Sequence, residues 1–160
     1  MTLKIGDKAP DLKLPAAVPG PSAGGREIGF RDFKGKKLVV YFYPKDNTPG
    51  CTQEGQDFRD LYKDFQKAGA EIVGLSKDSL RSHENFIAKF DFPFPLIADT
   101  EGLACDAFGA IVEKSMYGKK YMGIDRCTWL FDGKSVLRQS WRGVKVKGHA
   151  AEVLEAVKAL

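Results

Sequence analysis

The stretch from Leu38 to Glu54 constrains this chain more than any other. Leu38-Val39-Val40-Tyr41-Phe42-Tyr43 is a continuous apolar run rich in β-branched and aromatic side chains. It is too short for a buried helix of ordinary length, so it predicts a central strand. Pro44 cannot extend a ladder and ends it. A short polar loop follows. Thr48 then offers an N-cap, Pro49 suits a first helical position, and Glu54 is acidic early in the helix. Phe58, Leu61, Tyr62 and Phe65 recur at helical spacing, which predicts one long helix stopped by Gly69. Cys51 falls in its first turn. It precedes Phe58 by two turns and so shares the inward stripe, at the floor of a pocket behind a buried strand.

That position has chemical consequences. A free thiol has a pKa near ~8.5, so only a few per cent is thiolate at neutral pH. A helix N-terminus carries roughly half a positive charge and unpaired N–H groups, and both favour the anion. The N–H groups of Gly50 and Cys51 and the hydroxyl of Thr48 are at the right end to bind charge developing on a reacting oxygen. Pro44 and Pro49 stiffen the loop around the sulfur.

The rest of the chain reads as alternating elements. Leu12 and Leu14 suggest a short N-terminal strand or arm. Residues 15–29, with Pro15, Pro19, Gly20, Pro21, Gly24 and Gly25, read as a surface loop. Ala70–Ser76 is a second strand, and Ser79–Asp91 a helix burying His83, Phe86, Ile87 and Phe90. Pro95–Ala98 is a third strand, and Glu101–Phe108 a short helix ending at Gly109. Residues 113–123 read as a loop. Arg126–Phe131 is a strand whose Asp132-Gly133 turn leads to a partner over Ser135–Arg142, and Ala150–Leu160 is a closing helix. The order predicts a single α/β domain over residues 1–160. Its plan is thioredoxin-like, a three-layer sandwich in which helices cover both faces of a mixed sheet, with an N-terminal extension.

Composition excludes several classes. Lys+Arg 25 against Asp+Glu 21 gives +4, spread along the chain, so no nucleic-acid patch is expected. No apolar stretch approaches the ~20 residues of a membrane span, and no signal peptide is expected at the N-terminus. Cys51, Cys105 and Cys127 lack metal-type spacing, so no zinc site is expected, and an odd, sparse set fits a reducing cytoplasm.

Pro44-x-x-x-Thr48-x-x-Cys51 resembles the P-x-x-x-T-x-x-C signature of peroxiredoxins. The flanking Phe42-Tyr43-Pro44-Lys45-Asp46 and Thr48-Pro49-Gly50-Cys51-Thr52 are similar to the bacterioferritin comigratory protein, or PrxQ, branch. So are Ser82-His83-Glu84-Asn85-Phe86, Met116-Tyr117-Gly118-Lys119 and Gly123-Ile124-Asp125-Arg126, which extends the resemblance over nearly the whole chain. The resemblance implies a thiol peroxidase acting on hydrogen peroxide and organic hydroperoxides. Cys51 would form a sulfenic acid, Thr48 would hydrogen-bond the peroxide beside the Gly50 N–H already noted, Arg126 would hold the thiolate and the oxyanion, and Pro44 would shield the site. It also implies thioredoxin or another thiol as reductant, no metal or organic cofactor, and a monomer.

The second cysteine departs from the pattern. Gln56 and Ile87 stand where members of this branch carry a resolving cysteine. Cys127 alternates with Trp129 and Phe131 and reads as a core thiol. Cys105 lies off the apolar stripe of Leu103, Ala104, Ala107 and Phe108, which predicts a reachable sulfur and makes it the candidate resolving cysteine. Otherwise the chain works as a one-cysteine enzyme, the default reading. A peroxide sensor, a holdase or a disulfide oxidoreductase on the same fold are the competing functions, the last opposed by the missing C-x-x-C.

Overall fold

A computed structural model describes residues 2–20 and 25–160. The first part of the chain forms β1 (Lys13–Ala17), β2 (Arg26–Gly29), β3 (Lys37–Phe42), α1 (Pro49–Asp60), α2 (Tyr62–Lys67) and β4 (Ala70–Ser76). The second part forms α3 (Leu80–Phe90), β5 (Leu96–Ala98), α4 (Leu103–Phe108), β6 (Ile111–Met116), β7 (Lys119–Ile124), β8 (Cys127–Phe131), β9 (Leu137–Trp141) and α5 (His149–Ala159).

The predicted strand β3 is central in a sheet of order β2-β1-β5-β4-β3-β8-β9. Its pairing with β4 and that of β4 with β5 are parallel, whereas β8 joins β3 antiparallel and turns back into β9. The two parallel crossovers step the same way across the sheet. Right-handed crossovers of that kind lay their helices on one face. Val39, Tyr41, Tyr43 and Leu130 accordingly pack with Cys51 and Phe58 of α1, Phe65 of α2, Phe86 of α3 and Val153 of α5. Tyr41 stacks on Phe58 with ring centroids 4.7 Å apart. On the opposite face Leu38, Val40, Phe42, Trp129 and Phe131 pack with Ala104, Cys105 and Phe108 of α4. A mixed sheet with helices on both faces is therefore present as expected.

The structure departs from the sequence reading at four places. First, the expected loop over residues 15–29 contains β1 and β2, paired from Lys13↔Gly29 to Ala16↔Arg26; its residues 21–24 lie outside the described residues. Ala16 and Ala17 are fully buried and pair with Ile97 and Leu96, while Pro15 lies outside those two pairs and withholds no donor from β5. Second, the expected loop over residues 113–123 is the hairpin β6–β7. Tyr117 (φ 52°) and Gly118 (φ 79°) form its two-residue turn, and a tyrosine at positive φ is a weak turn signal in sequence. Third, the long helix breaks at Leu61 (φ −100°, ψ 2°). Leu61 still bonds to Asp57 and accepts from Phe65, so the inward stripe keeps its phase into α2.

The fourth departure concerns Cys105. The inward residues of α4 are Ala104, Cys105 and Phe108, and Leu103 is exposed, so the helix is rotated from the predicted stripe. Cys105 is 0% exposed and packs on the sheet face opposite Cys51. Counted as a small hydrophobe, as buried cysteines behave, it completes the i, i+1, i+4 stripe. The expectation of a reachable Cys105 sulfur is corrected.

Candidate active site

The ladder of β3 hands over to a loop at Tyr43, whose N–H bonds to Leu75 at 3.1 Å. Pro44 follows, exposed. Thr48 takes the N-cap position with extended backbone (φ −101°, ψ 155°), and Pro49 opens α1. The hydroxyl of Thr48 makes no capping bond; it donates to the Lys45 carbonyl at 2.8 Å, which leaves its oxygen free to accept. The i→i−4 ladder begins with Thr52 N–H to Thr48 O at 2.9 Å, so the N–H groups of Gly50 and Cys51 precede it.

The sulfur of Cys51 is inward, as the helix phase predicts, and 2% of the residue is exposed. Arg126 reaches it from 75 residues away, with Nη2 at 3.4 Å from Sγ. The register explains the meeting. Cys127 pairs with Phe42 at the end of β3, so the residue before Cys127 lies beside the loop that leaves β3. The other end of the guanidinium donates to Glu54 Oε1 at 2.7 Å. Glu54 is three residues after Cys51 on α1 and hence on the same helix face. One arginine thus bridges a buried carboxylate and the thiol. Gly50 leaves room for it, since a Cβ there would lie 3.2 Å from Nη2.

The electrostatics follow from this packing. Burial pushes the Glu54 carboxyl up to about 7, with Arg126 pulling it back. Burial disfavours the Arg126 cation, yet Glu54 and Cys51 outweigh it and raise its pKa. The Tyr41 hydroxyl and Glu54 Oε2 are buried without a hydrogen-bond partner among the described residues, and burial, then Glu54, holds Tyr41 well above its ordinary value.

Several residues that sequence reasoning missed hold the loop in place. The carboxylate of Asp46 accepts from Tyr43 Oη at 2.6 Å and Ser82 Oγ at 2.8 Å, and it meets His83 Nδ1 at 2.7 Å. Asp46, Asp78 and His83 have donor atoms within 4.8 Å of one another, the one set among the described residues that could hold a metal. Those atoms are engaged already: Asp78 Oδ2 accepts from the Asp46 N–H at 2.8 Å and from Ser76 Oγ at 2.6 Å. His83 is packed, as the sequence implied. His149, the first residue of α5, is buried beside Thr128, with Nε2 2.8 Å from the hydroxyl. Burial lowers its pKa to about 4. Cys127 is buried as expected and accepts from Trp129 Nε1 at 3.2 Å. Burial pushes both other thiols up, Cys127 to about 12 and Cys105 further. Cys51, Arg126, Glu54 and Gly50 therefore come together, with Thr48 and Pro44 on the adjoining loop, and Cys105 does not join them.

Residues 5–140 match the model of the AhpC/TSA family, a span that includes every residue of this site. The chain is a peroxiredoxin of that family. Among its relatives, peroxiredoxin Bcp of Xanthomonas campestris pv. campestris is 52% identical over 151 residues, covering 92% of this chain and 94% of the relative. Peroxiredoxin Bcp of Bacillus subtilis is 46% identical over 158 residues, 99% of this chain and 97% of the relative. The bacterioferritin comigratory protein of Xanthomonas campestris, studied for alkyl peroxide reduction in trapped intermediate and ligand complexes, superposes with a TM-score of 0.88 at 48% identity, covering 98% of this chain and 96% of its own. The branch read from the sequence and the thioredoxin-like peroxiredoxin fold both hold. In this peroxiredoxin the arginine that contacts the thiol is the one the resemblance pointed to, Arg126.

Proposed function

We propose that this thiol-dependent peroxidase reduces hydrogen peroxide and organic hydroperoxides with Cys51 as its nucleophile. The observation that carries the reading is Arg126 Nη2 at 3.4 Å from a buried sulfur in the first turn of a helix. A guanidinium is charged at all relevant pH, so it stabilises the thiolate and then the oxygen that leaves. The thiolate attacks the terminal oxygen of R–O–O–H. The O–O bond breaks, a Cys51 sulfenic acid forms, and the alkoxide takes a proton and departs as R–OH. The N–H groups of Gly50 and Cys51 lie where they can bind the peroxide oxygens. Thr48, already donating to Lys45, accepts a hydrogen bond from the peroxide O–H through its free lone pair. Pro44 walls the entrance. The alkyl peroxide chemistry of the Xanthomonas protein supports organic hydroperoxides as substrates.

The sulfenic acid is recycled by an external thiol. Cys105 and Cys127 are both buried on the far face of the sheet, and bridging requires Cα atoms within about 7 Å. A dithiol protein such as thioredoxin attacks the sulfur, releases water and then resolves the mixed disulfide with its second thiol. The 2% exposure of Cys51 weighs against a general disulfide oxidoreductase. No helix among the described residues is long and apolar enough to cross a membrane. We take the protein to act as a monomer in the cytoplasm, where its three free cysteines stay reduced. Stopped-flow peroxide consumption tests the reading: wild type consumes peroxide continuously with a thioredoxin system, and Cys51→Ser consumes none. Wild-type rates in the variant would remove Cys51 from the reaction, and consumption stopping after one equivalent in wild type would make the protein a sensor.

A further inference from the structure

His83 is fully buried, and both of its ring nitrogens face oxygen acceptors. Nε2 lies 2.9 Å from the Ile97 carbonyl, which can only accept, so Nε2 carries a proton. Nδ1 lies 2.7 Å from Asp46 Oδ2. That carboxylate already receives hydrogen bonds on both oxygens, from Tyr43 on Oδ1 and from Ser82 on Oδ2. A carboxylate ringed by donors is the ionised form, and its third partner then also donates. Asp78 adds a second carboxylate to the cluster, held by the Asp46 N–H and the Ser76 hydroxyl. The groups around His83 are thus two acids, the three hydroxyls of Tyr43, Ser76 and Ser82 that donate to those acids, and a carbonyl, with no cation among these partners.

We propose that His83 is a positioning residue. Donating from both ring nitrogens, to Asp46 and to Ile97, it locks the loop that carries Thr48 and starts α1 onto α3 and the sheet. Asp46 belongs to that loop, Ser82 and His83 to α3, and Ile97 to β5, so one side chain ties three elements together. The clamp keeps the first turn of α1 in the closed form that places Cys51 against Arg126. The inference rests on the reading of Cys51 as the nucleophile, and it adds an opposing effect on the two half-reactions. A reducing thiol must come within a disulfide bond length of about 2.05 Å, and the buried sulfur allows that only when the first turn opens. The clamp therefore speeds attack on peroxide and slows reduction of the sulfenic acid.

Nitrogen-15 NMR of the wild-type histidine side chains at neutral pH tests the protonation state without any substitution. Both His83 nitrogens should carry protons; a bare Nδ1 overturns the proposal. Two variants test the coupling. In His83→Asn the amide stands near Nδ1 and keeps the donor to Asp46. In His83→Gln it stands near Nε2 and keeps only the bond to Ile97. His83→Gln should slow single-turnover peroxide reduction by about tenfold, the worth of one charge-assisted hydrogen bond, and speed dithiothreitol reduction of the sulfenic acid, while His83→Asn stays closer to wild type. Equal slowing of both half-reactions, or Gln outperforming Asn, overturns the clamp. If neither variant folds, Ser82→Ala removes the other α3 donor to the same carboxylate and should show the same split more weakly; a uniform loss in it counts against the proposal. Cys51→Ser tests the underlying reading separately, because the NMR signature of His83 does not depend on that sulfur.

Discussion

Glu54 and His149 are buried titratable groups that respond to acid in opposite directions. The folded carboxyl of Glu54 is raised from 4.5 to about 7, so the native state binds the extra proton, and the stability this gives below about 4.5 is lost as pH rises to about 7. His149 is lowered from 6.5 to about 4, so its contribution is present above 6.5 and lost as pH falls toward 4. Between those values the two slopes offset each other in wild type. Glu54→Gln removes the first and leaves the second. Urea unfolding at pH 7 and pH 4.5 should therefore show the variant losing roughly 3 kcal/mol relative to wild type on acidification, because a proton held only by the folded state is worth ~1.4 kcal/mol for every pH unit crossed. Equal loss in both proteins would mean that Glu54 is ionised throughout, held by Arg126. Arg126→Lys tests the bridge itself. An ammonium is a point charge and cannot serve both Glu54 and Cys51, so the peroxide step should slow by about a hundredfold in stopped flow with little change in the fold.

At the scale of one element, α1 separates function from stability at two glycines five residues apart. A Cβ at Gly50 would meet only the Arg126 guanidinium, at 3.2 Å. Gly50→Ala should hold or raise Tm, since alanine is favoured in helices by about 1 kcal/mol, and yet slow peroxide reduction by displacing Nη2 from the sulfur. A Cβ at Gly55 would lie 2.5 Å from the Phe92 ring. Gly55→Ala should lower stability by about 1–3 kcal/mol through overpacking, read from the denaturation midpoint, without a specific effect on the peroxide step. How legible each element was depends on the range of the forces that form it. β3, β4, α3, α5 and the start of α1 follow from periodicity, proline and capping residues within a few positions, and all lie within one or two residues of the reading. The hairpin β6–β7 was missed because its turn is Tyr117-Gly118, without the asparagine or aspartate that marks such turns. The hairpin β1–β2 was missed because small and proline residues resemble a loop until the sheet edge that receives them is known.

For the whole molecule, the sheet divides the thiols. Right-handed crossovers place α1 on one face, and α4 covers the other, so Cys51 and Cys105 are separated by a layer of strands. One equivalent of peroxide should therefore add one oxygen to the intact mass, with no loss of two hydrogens, and Cys105→Ala should turn over peroxide as wild type does. A two-hydrogen loss that disappears in Cys105→Ala would mean that the molecule opens far enough to bring α4 to the site.

By itself the sequence determined that a thiol stands in the first turn of a helix behind a buried strand and faces inward. Strand ends, capping and helical phase are set by residues close in the chain, so Pro44, Thr48, Pro49 and the spacing to Phe58 suffice for them. Only the tertiary structure decided that Glu54 is buried against Arg126, that His83 meets Asp46 of the loop before α1, and that Cys105 lies across the sheet. Those relations join residues far apart in the chain, and they are fixed by strand register and crossover handedness, which no local pattern records.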